Sequence, residues 1–189
     1  MPSEDLLDRL KREHETFDAA RREIIALAAK AQNAAKRAIF AVQRDDESGA
    51  KLLLTEADQA FEAIGEKASV NARLAHEGSY RAALEEYAEA RFVAQLAWNR
   101  GLTPIEGMDE ETQIAGLCDA VGEAVRLMVT RVTAKRDAEA GEIKKRLDAL
   151  MPGLDAMDYS GYLRTKYDQA RGHYRRAEDV MYELSLRGR

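Results

Sequence analysis

Two pairs of acids carry the chemistry this chain can offer. In Glu85-Glu86-Tyr87-Ala88-Glu89-Ala90-Arg91-Phe92, Glu86 and Glu89 stand three residues apart. On a helix that spacing puts both on one face. The face continues to Ala82 on one side and to Val93 and Leu96 on the other, so two carboxylates interrupt an otherwise apolar stripe. Such a carboxylate is costly unless a cation, a metal or a proton answers its charge. Asp119 and Glu123, four apart among small and apolar residues in 115–123, repeat the pattern. If the two pairs meet in a helical bundle, they form an oxygen-only ligand set suited to Mg²⁺ or Mn²⁺. Such an ion makes a water nucleophilic and neutralises charge building on a phosphate, the chemistry of a metal-dependent nuclease. Spacing alone leaves other readings open. Asp58/Glu62, Glu62/Glu66 and Glu139/Glu142 share it and are expected on solvated faces, and the four acids could equally form ion pairs with Arg91 or Arg126.

Other catalytic templates are missing. There is no glycine-rich phosphate loop and no GxSxG. His14, His76 and His173 are scattered; none belongs to HExxH or to the Glu-x-x-His of di-iron bundles. The single cysteine, Cys118, excludes an intrachain disulfide and a cysteine-based zinc site, and is expected to be a packed thiol.

The elements that must position these acids are helical. Charged residues make up 33% of the chain, hydrophobic ones 46%, and there are only 3 prolines in 189 residues. That composition points to an all-α protein, read as a single domain over 1–189. Leu10, Phe17, Ile24, Ala31 and Ala38 recur every seven residues, with Leu6, Ala20, Leu27, Ala34 and Ala41 as a companion row. They predict a first helix of roughly 40 residues, beginning near Ser3 and closed by the turn at Asp45–Gly49. Further helices are expected over Ala50–Ala75, from Tyr80 to a C-cap at Gly101, and from Asp109 or Glu110 to Lys135. Two more follow, Asp137–Leu150, stopped at Met151-Pro152-Gly153, and Ser160–Leu186. A net charge of −5 does not suggest nucleic acid, but a local basic surface can exist within an acidic total. No apolar run approaches the roughly 18 residues of a membrane span, and the charged N-terminus is unlike a signal peptide. A soluble, cytoplasmic protein with no membrane partner is expected.

Four segments together resemble the translin family, which comprises translin and translin-associated factor X (Trax). Residues 22–25 through 38–45 look like the family's first helix and its exit turn. Glu86-Tyr87-Ala88-Glu89-Ala90 followed by Phe92, then Gly116-Leu117-x-Asp119-x-x-Gly122-Glu123, look like the Trax acidic segments. Leu163-Arg164-x-Lys166-Tyr167-Asp168 and the stretch from Val180 to Gly188 resemble the translin C-terminus.

The resemblance implies an all-α fold of about seven helices and assembly into a hollow, barrel-like homo-octamer binding single-stranded RNA or DNA inside. In the Trax branch it implies metal-dependent endoribonuclease activity, with Glu86, Glu89, Asp119 and Glu123 matching the acidic active-site positions. In translin proper the positions of Glu86 and Glu89 are not acidic, and that branch mainly binds and scaffolds. This chain therefore joins a Trax-like acidic set to a translin-like tail, as a homo-oligomer doing both jobs would. It departs from translin's basic, histidine-rich binding stretch, keeping only Arg73, His76 and Arg81 there. Strand-binding cations are expected at Lys36, Arg37, Arg44 and Arg81. The reading is a Mg²⁺- or Mn²⁺-dependent endoribonuclease acting on single-stranded RNA. Its alternatives are a non-catalytic single-strand binder and a purely structural helical oligomer.

Overall fold

The computed structural model describes residues 4–68 and 71–187. Among them are six α-helices, one short 3₁₀ helix and no strand: α1 Glu4–Gln43, α2 Glu47–Ala68, the 3₁₀ turn Ala72–His76, α3 Gly78–Ala97, α4 Glu110–Thr133, α5 Asp137–Asp155 and α6 Gly161–Arg187. The all-α reading holds, and the 3₁₀ turn makes seven helical elements. The expected cap at Ser3 lies outside the described residues.

Helix α1 is flanked by α2 and α3, α3 packs on α4, and α4 is covered by α5 and α6. Much of this interface is alanine. Ala28, Ala31, Ala35 and Ala38 of α1 and Ala57 and Ala60 of α2 are buried, so the helix axes approach closely. Larger residues, Ile24, Val42, Ile64, Val93, Leu127 and Met128, fill the space between. The heptad rows of α1 behave as expected from Ile24 onward, but Leu6 and Leu10 are exposed together with Leu7. A helix of 40 residues is about 60 Å long, further than the other helices of the same chain extend.

Three helix ends differ from the sequence expectation. The second helix, described over Glu47–Ala68, does not continue to Ala75, because Asn71 caps a 3₁₀ turn there by accepting a hydrogen bond from the Arg73 amide. Helix α3 ends at Ala97, and the left-handed residue that closes it is Asn99 (φ 53°), two residues before the glycine cap expected at Gly101. The Arg100 amide then donates to the Gln95 carbonyl at 3.1 Å, closing a Schellman turn. Asp45 after α1 and Lys135 after α4 occupy the same position, also without glycine. Helix α5 runs through Pro152 to Asp155. A proline there removes one backbone hydrogen bond and crowds the carbonyl one turn back, together costing about 3 kcal/mol. Leu147, Met151 and Leu154 share one buried face, so continuing the helix keeps Leu154 in the core and offsets that cost.

Two exit turns are tied together by charge. Arg131 of α4, only 6% exposed, pairs with Asp45 after α1, and Arg136 pairs with both Asp45 and Glu139. Arg146 of α5 donates to the Leu96 and Ala97 carbonyls at 2.6 and 3.0 Å, capping the negative end of α3. These ties hold α3 and α4 rigidly against α1 and α5.

Candidate functional site

Helices α3 and α4 meet where the acids are. Gly116 lies on the backbone of α3: a β-carbon there would stand 2.5 Å from Ala88 Cβ and 2.8 Å from the Glu89 amide nitrogen. Only glycine permits that approach, which brings Asp119, one turn further along α4, alongside Glu89. Gly122 faces α6 less tightly: a β-carbon there would meet the His173 ring at 3.1 Å, a side chain that can shift.

Glu89, Asp119 and Glu123 line a cavity of about 540 Å³. Glu86 lies one turn before Glu89 and faces Lys36 of α1, with Nζ 3.5 Å from its carboxylate. Asp119 pairs with Lys166 of α6, which also stands 3.8 Å from Glu85. Gln43, in the last turn of α1, donates at 2.9 Å to both the carbonyl and the carboxylate of Glu123. Arg126 lies 3.4 Å from the same carboxylate. Of the ion pairs considered from sequence, Arg126 therefore forms one; Arg91 instead hydrogen-bonds Tyr87 Oη at 2.9 Å. Glu89 alone of the four acids has neither hydrogen bond nor ion pair among the described residues.

The electrostatics follow from that layout. Burial, then the charges of Asp119, Glu86 and Glu123, push the Glu89 carboxyl up to about 8. Glu86 is raised less, because Lys36 works against its burial. Burial works against the charge of Lys166, yet its bonds to Asp119 and Tyr162 hold its pKa above the ordinary lysine value. Cys118 is buried beside Asp119, which pushes its thiol up to about 11, so it is the inert packed thiol expected.

The donor set suits a hard divalent cation, being carboxylate oxygen throughout. Yet no three His, Cys, Asp or Glu side chains among the described residues are grouped closely enough to hold an ion. The reason is visible: Asp119 is drawn to Lys166, Glu86 to Lys36 and Glu123 to Gln43. The same cations would have to swing aside for the acids to converge.

The four cations expected to bind a strand do not share one surface. Lys36 belongs to the acidic site. Arg37 and Arg44 line a groove between α1 and α2. Arg81 stands apart, 3.6 Å from Glu111 near the start of α4. Asp58, expected on a solvated face, is half-buried and accepts a hydrogen bond from Tyr87. Glu62 and Glu139 are exposed.

Sequence reasoning overlooked the contribution of α6. Lys166 at the acids, and Gln169, His173 and Arg176 in the cavity wall, lie on one side of that helix. The spacing of these residues, at i, i+3, i+7 and i+10 beside a buried row of Tyr167, Ala170 and Ala177, was the available signal. Gln43 was legible only as part of a helix end.

Six helices and no strand among the described residues, with an acidic α3–α4 seam, define the class, and the comparisons narrow it. The Translin family model matches residues 8–188, and the chain belongs to the translin family. Among solved structures it is similar to apo-NeC3PO, at 20% identity over 95% of both chains with a TM-score of 0.83. It is also similar to AfC3PO in complex with duplex RNA, at 17% identity over 95% of this chain and 96% of that one, TM-score 0.85. AfC3PO without that duplex matches at 18% identity, 95% and 97% coverage and TM-score 0.85. No curated protein matches significantly. No helix of the described residues is long and apolar enough to cross a membrane.

Proposed function

We propose that this chain binds RNA and cleaves it as a divalent-metal-dependent endoribonuclease, working as a hollow homo-octamer in the cytoplasm. The observation that carries the reading is Glu89: a half-buried carboxyl, without a partner of its own among the described residues, beside three further carboxylates. A purely structural helix seam gains nothing from such a group. Glu86, Glu89, Asp119 and Glu123 would hold Mg²⁺ or Mn²⁺, which when bound supplies an activated water and charge neutralisation at the scissile phosphate. Lys36 and Lys166, freed from Glu86 and Asp119, are then placed to meet phosphate oxygens next to the acids. Arg126 and Arg176 on the cavity wall add cationic charge. Binding of RNA is supported by the fold shared with AfC3PO, whose structure includes duplex RNA. Single strands are expected to be preferred, since an enclosed cavity admits a flexible strand more readily than a rigid duplex. The exposed Leu6, Leu7 and Leu10 of α1 support assembly.

A non-catalytic single-strand RNA- or DNA-binding oligomer is the second reading. It is favoured by the pairing of Asp119 with Lys166, Glu86 with Lys36 and Glu123 with Arg126, which answers three of the four acids.

The deciding experiment incubates labelled single-stranded and duplex RNA with the protein, in Mg²⁺ or in chelator. Cleavage in Mg²⁺ alone is expected. Glu89→Gln should abolish cleavage while leaving binding and oligomer mass intact, and Glu62→Gln, on an exposed face, should change none of these. Wild-type rates in the Glu89→Gln protein would refute the site; binding without cleavage in either metal would leave the second reading.

A further inference from the structure

Phe40 is misplaced for a core residue. It sits on α1 beyond the buried row, 46% exposed, between Ile39 and Ala41, which are both buried. Its ring lies on the ridge between the acidic cavity and the α1–α2 groove. On one side the Arg126 guanidinium stands 5.9 Å from the ring centroid, and Arg126 is the residue 3.4 Å from Glu123. One helical turn before Phe40 is Lys36, which contacts Glu86. On the other side is the groove, of about 620 Å³, shared with Arg37 and Arg44.

The charges facing that groove are unequal in their commitments. Asp46 accepts the Gly49 amide at 2.8 Å and so caps α2. Glu56 faces Lys30 at 3.8 Å. Arg37 and Arg44, one on each side of Phe40, have no partner among the described residues. Leu52, 73% exposed, forms the groove's opposite lip. An exposed aromatic ring flanked by unpartnered guanidinium groups is how proteins hold unpaired bases: the ring takes the base face, and the cations take the phosphates. A duplex offers no free base face to such a ring.

We infer that Phe40 is the stacking platform for an unpaired nucleobase, with Arg37 and Arg44 holding the phosphates that flank it. Because Phe40 reaches Glu123 through Arg126, the stacked base belongs to a nucleotide neighbouring the phosphate at the acids. The inference rests on the nucleic-acid reading above and locates its strand.

The test compares binding of two labelled oligonucleotides of equal length and charge, a single-stranded poly-uridine and an abasic strand, to wild type and to Phe40→Ala, Phe40→Leu and Phe40→Tyr. Light scattering monitors the mass of each protein. Wild type should bind the base-bearing strand about tenfold more tightly than the abasic one. Phe40→Ala and Phe40→Leu should lose that difference while binding the abasic strand as wild type does; Phe40→Tyr should keep it. If Phe40→Ala binds both strands as wild type does, or Phe40→Leu keeps the preference, the ring does not stack a base. If Phe40→Ala lowers the oligomer mass, the ridge is a contact between copies of the chain and the inference falls. If wild type binds neither strand, the nucleic-acid reading falls with it.

Discussion

Lys166 crosses from α6 to hold Asp119 of α4, placing an ammonium group beside the acidic cluster. It also lies 5.3 Å from the centre of the Tyr162 ring, whose hydroxyl donates to Glu85 at 2.5 Å. The C-terminal helix thus carries the counter-charge of the site built by α3 and α4.

Removing that counter-charge should expose the cluster's demand for a cation. Lys166→Met is expected to lower the melting temperature in chelator, because a partly buried carboxylate loses its partner. Mn²⁺ should then restore stability at concentrations severalfold below those that stabilise wild type. Thermal shift against Mn²⁺ concentration measures both. An unchanged metal midpoint would mean that Lys166 does not compete with a metal.

The pH dependence of stability carries the signature of Glu89. Its folded carboxyl titrates at about 8, far above the roughly 4.3 of an unfolded glutamate. Between these values the folded state holds a proton that the unfolded state has released. Stability in chelator should therefore fall as pH rises from about 4.5 to 8, with the full penalty present above 8. Glu89→Gln should flatten that fall and be the more stable protein at high pH. Chemical denaturation at pH 5, 7 and 9 provides the check, and parallel profiles for the two proteins would contradict it.

Gly116→Ala tests the helix approach itself. Its new methyl would meet Ala88 Cβ and the Glu89 amide at 2.5 and 2.8 Å, one of them rigid backbone. A loss of about 1–3 kcal/mol is expected from overpacking. Because Glu89 and Asp119 would be pushed apart, RNA cleavage should fall even at temperatures where the variant is folded. Gly65→Ala, with open space around it, serves as the control and should be neutral or slightly stabilising.

Assembly can be read from mass. The proposed homo-octamer should scatter light as about eight copies of a 21.1 kDa chain. Leu7→Asp and Leu10→Asp, on the exposed stretch of α1, should reduce that mass without unfolding the helices seen by circular dichroism. A wild-type chain that remains a 21.1 kDa monomer at micromolar concentration would overturn the octamer.

The helices were legible because their signals are local. The heptad rows of α1, the start of α4 at Asp109 or Glu110 and the small residues around Asp119 are written within a few residues of where they act. The α3 and α4 acid pairs could be named for the same reason: i, i+3 and i, i+4 spacing is a property of one helix. Helix ends were less legible where burial decided. Helix α5 passes Pro152 because Leu154 is held in the core, and α3 ends at Ala97, where Asn99 closes a Schellman turn without a glycine.

From sequence alone, then, came the helical class and four acids set in pairs on two helices. Which charges answer them was settled only by tertiary packing. Lys166 is 47 residues from Asp119, and Gln43 is 80 from Glu123. Neither pairing leaves a periodic trace, because each depends on how whole helices lie across one another. The same packing left Glu89 without a partner, through a glycine on the facing helix that admits no side chain between them.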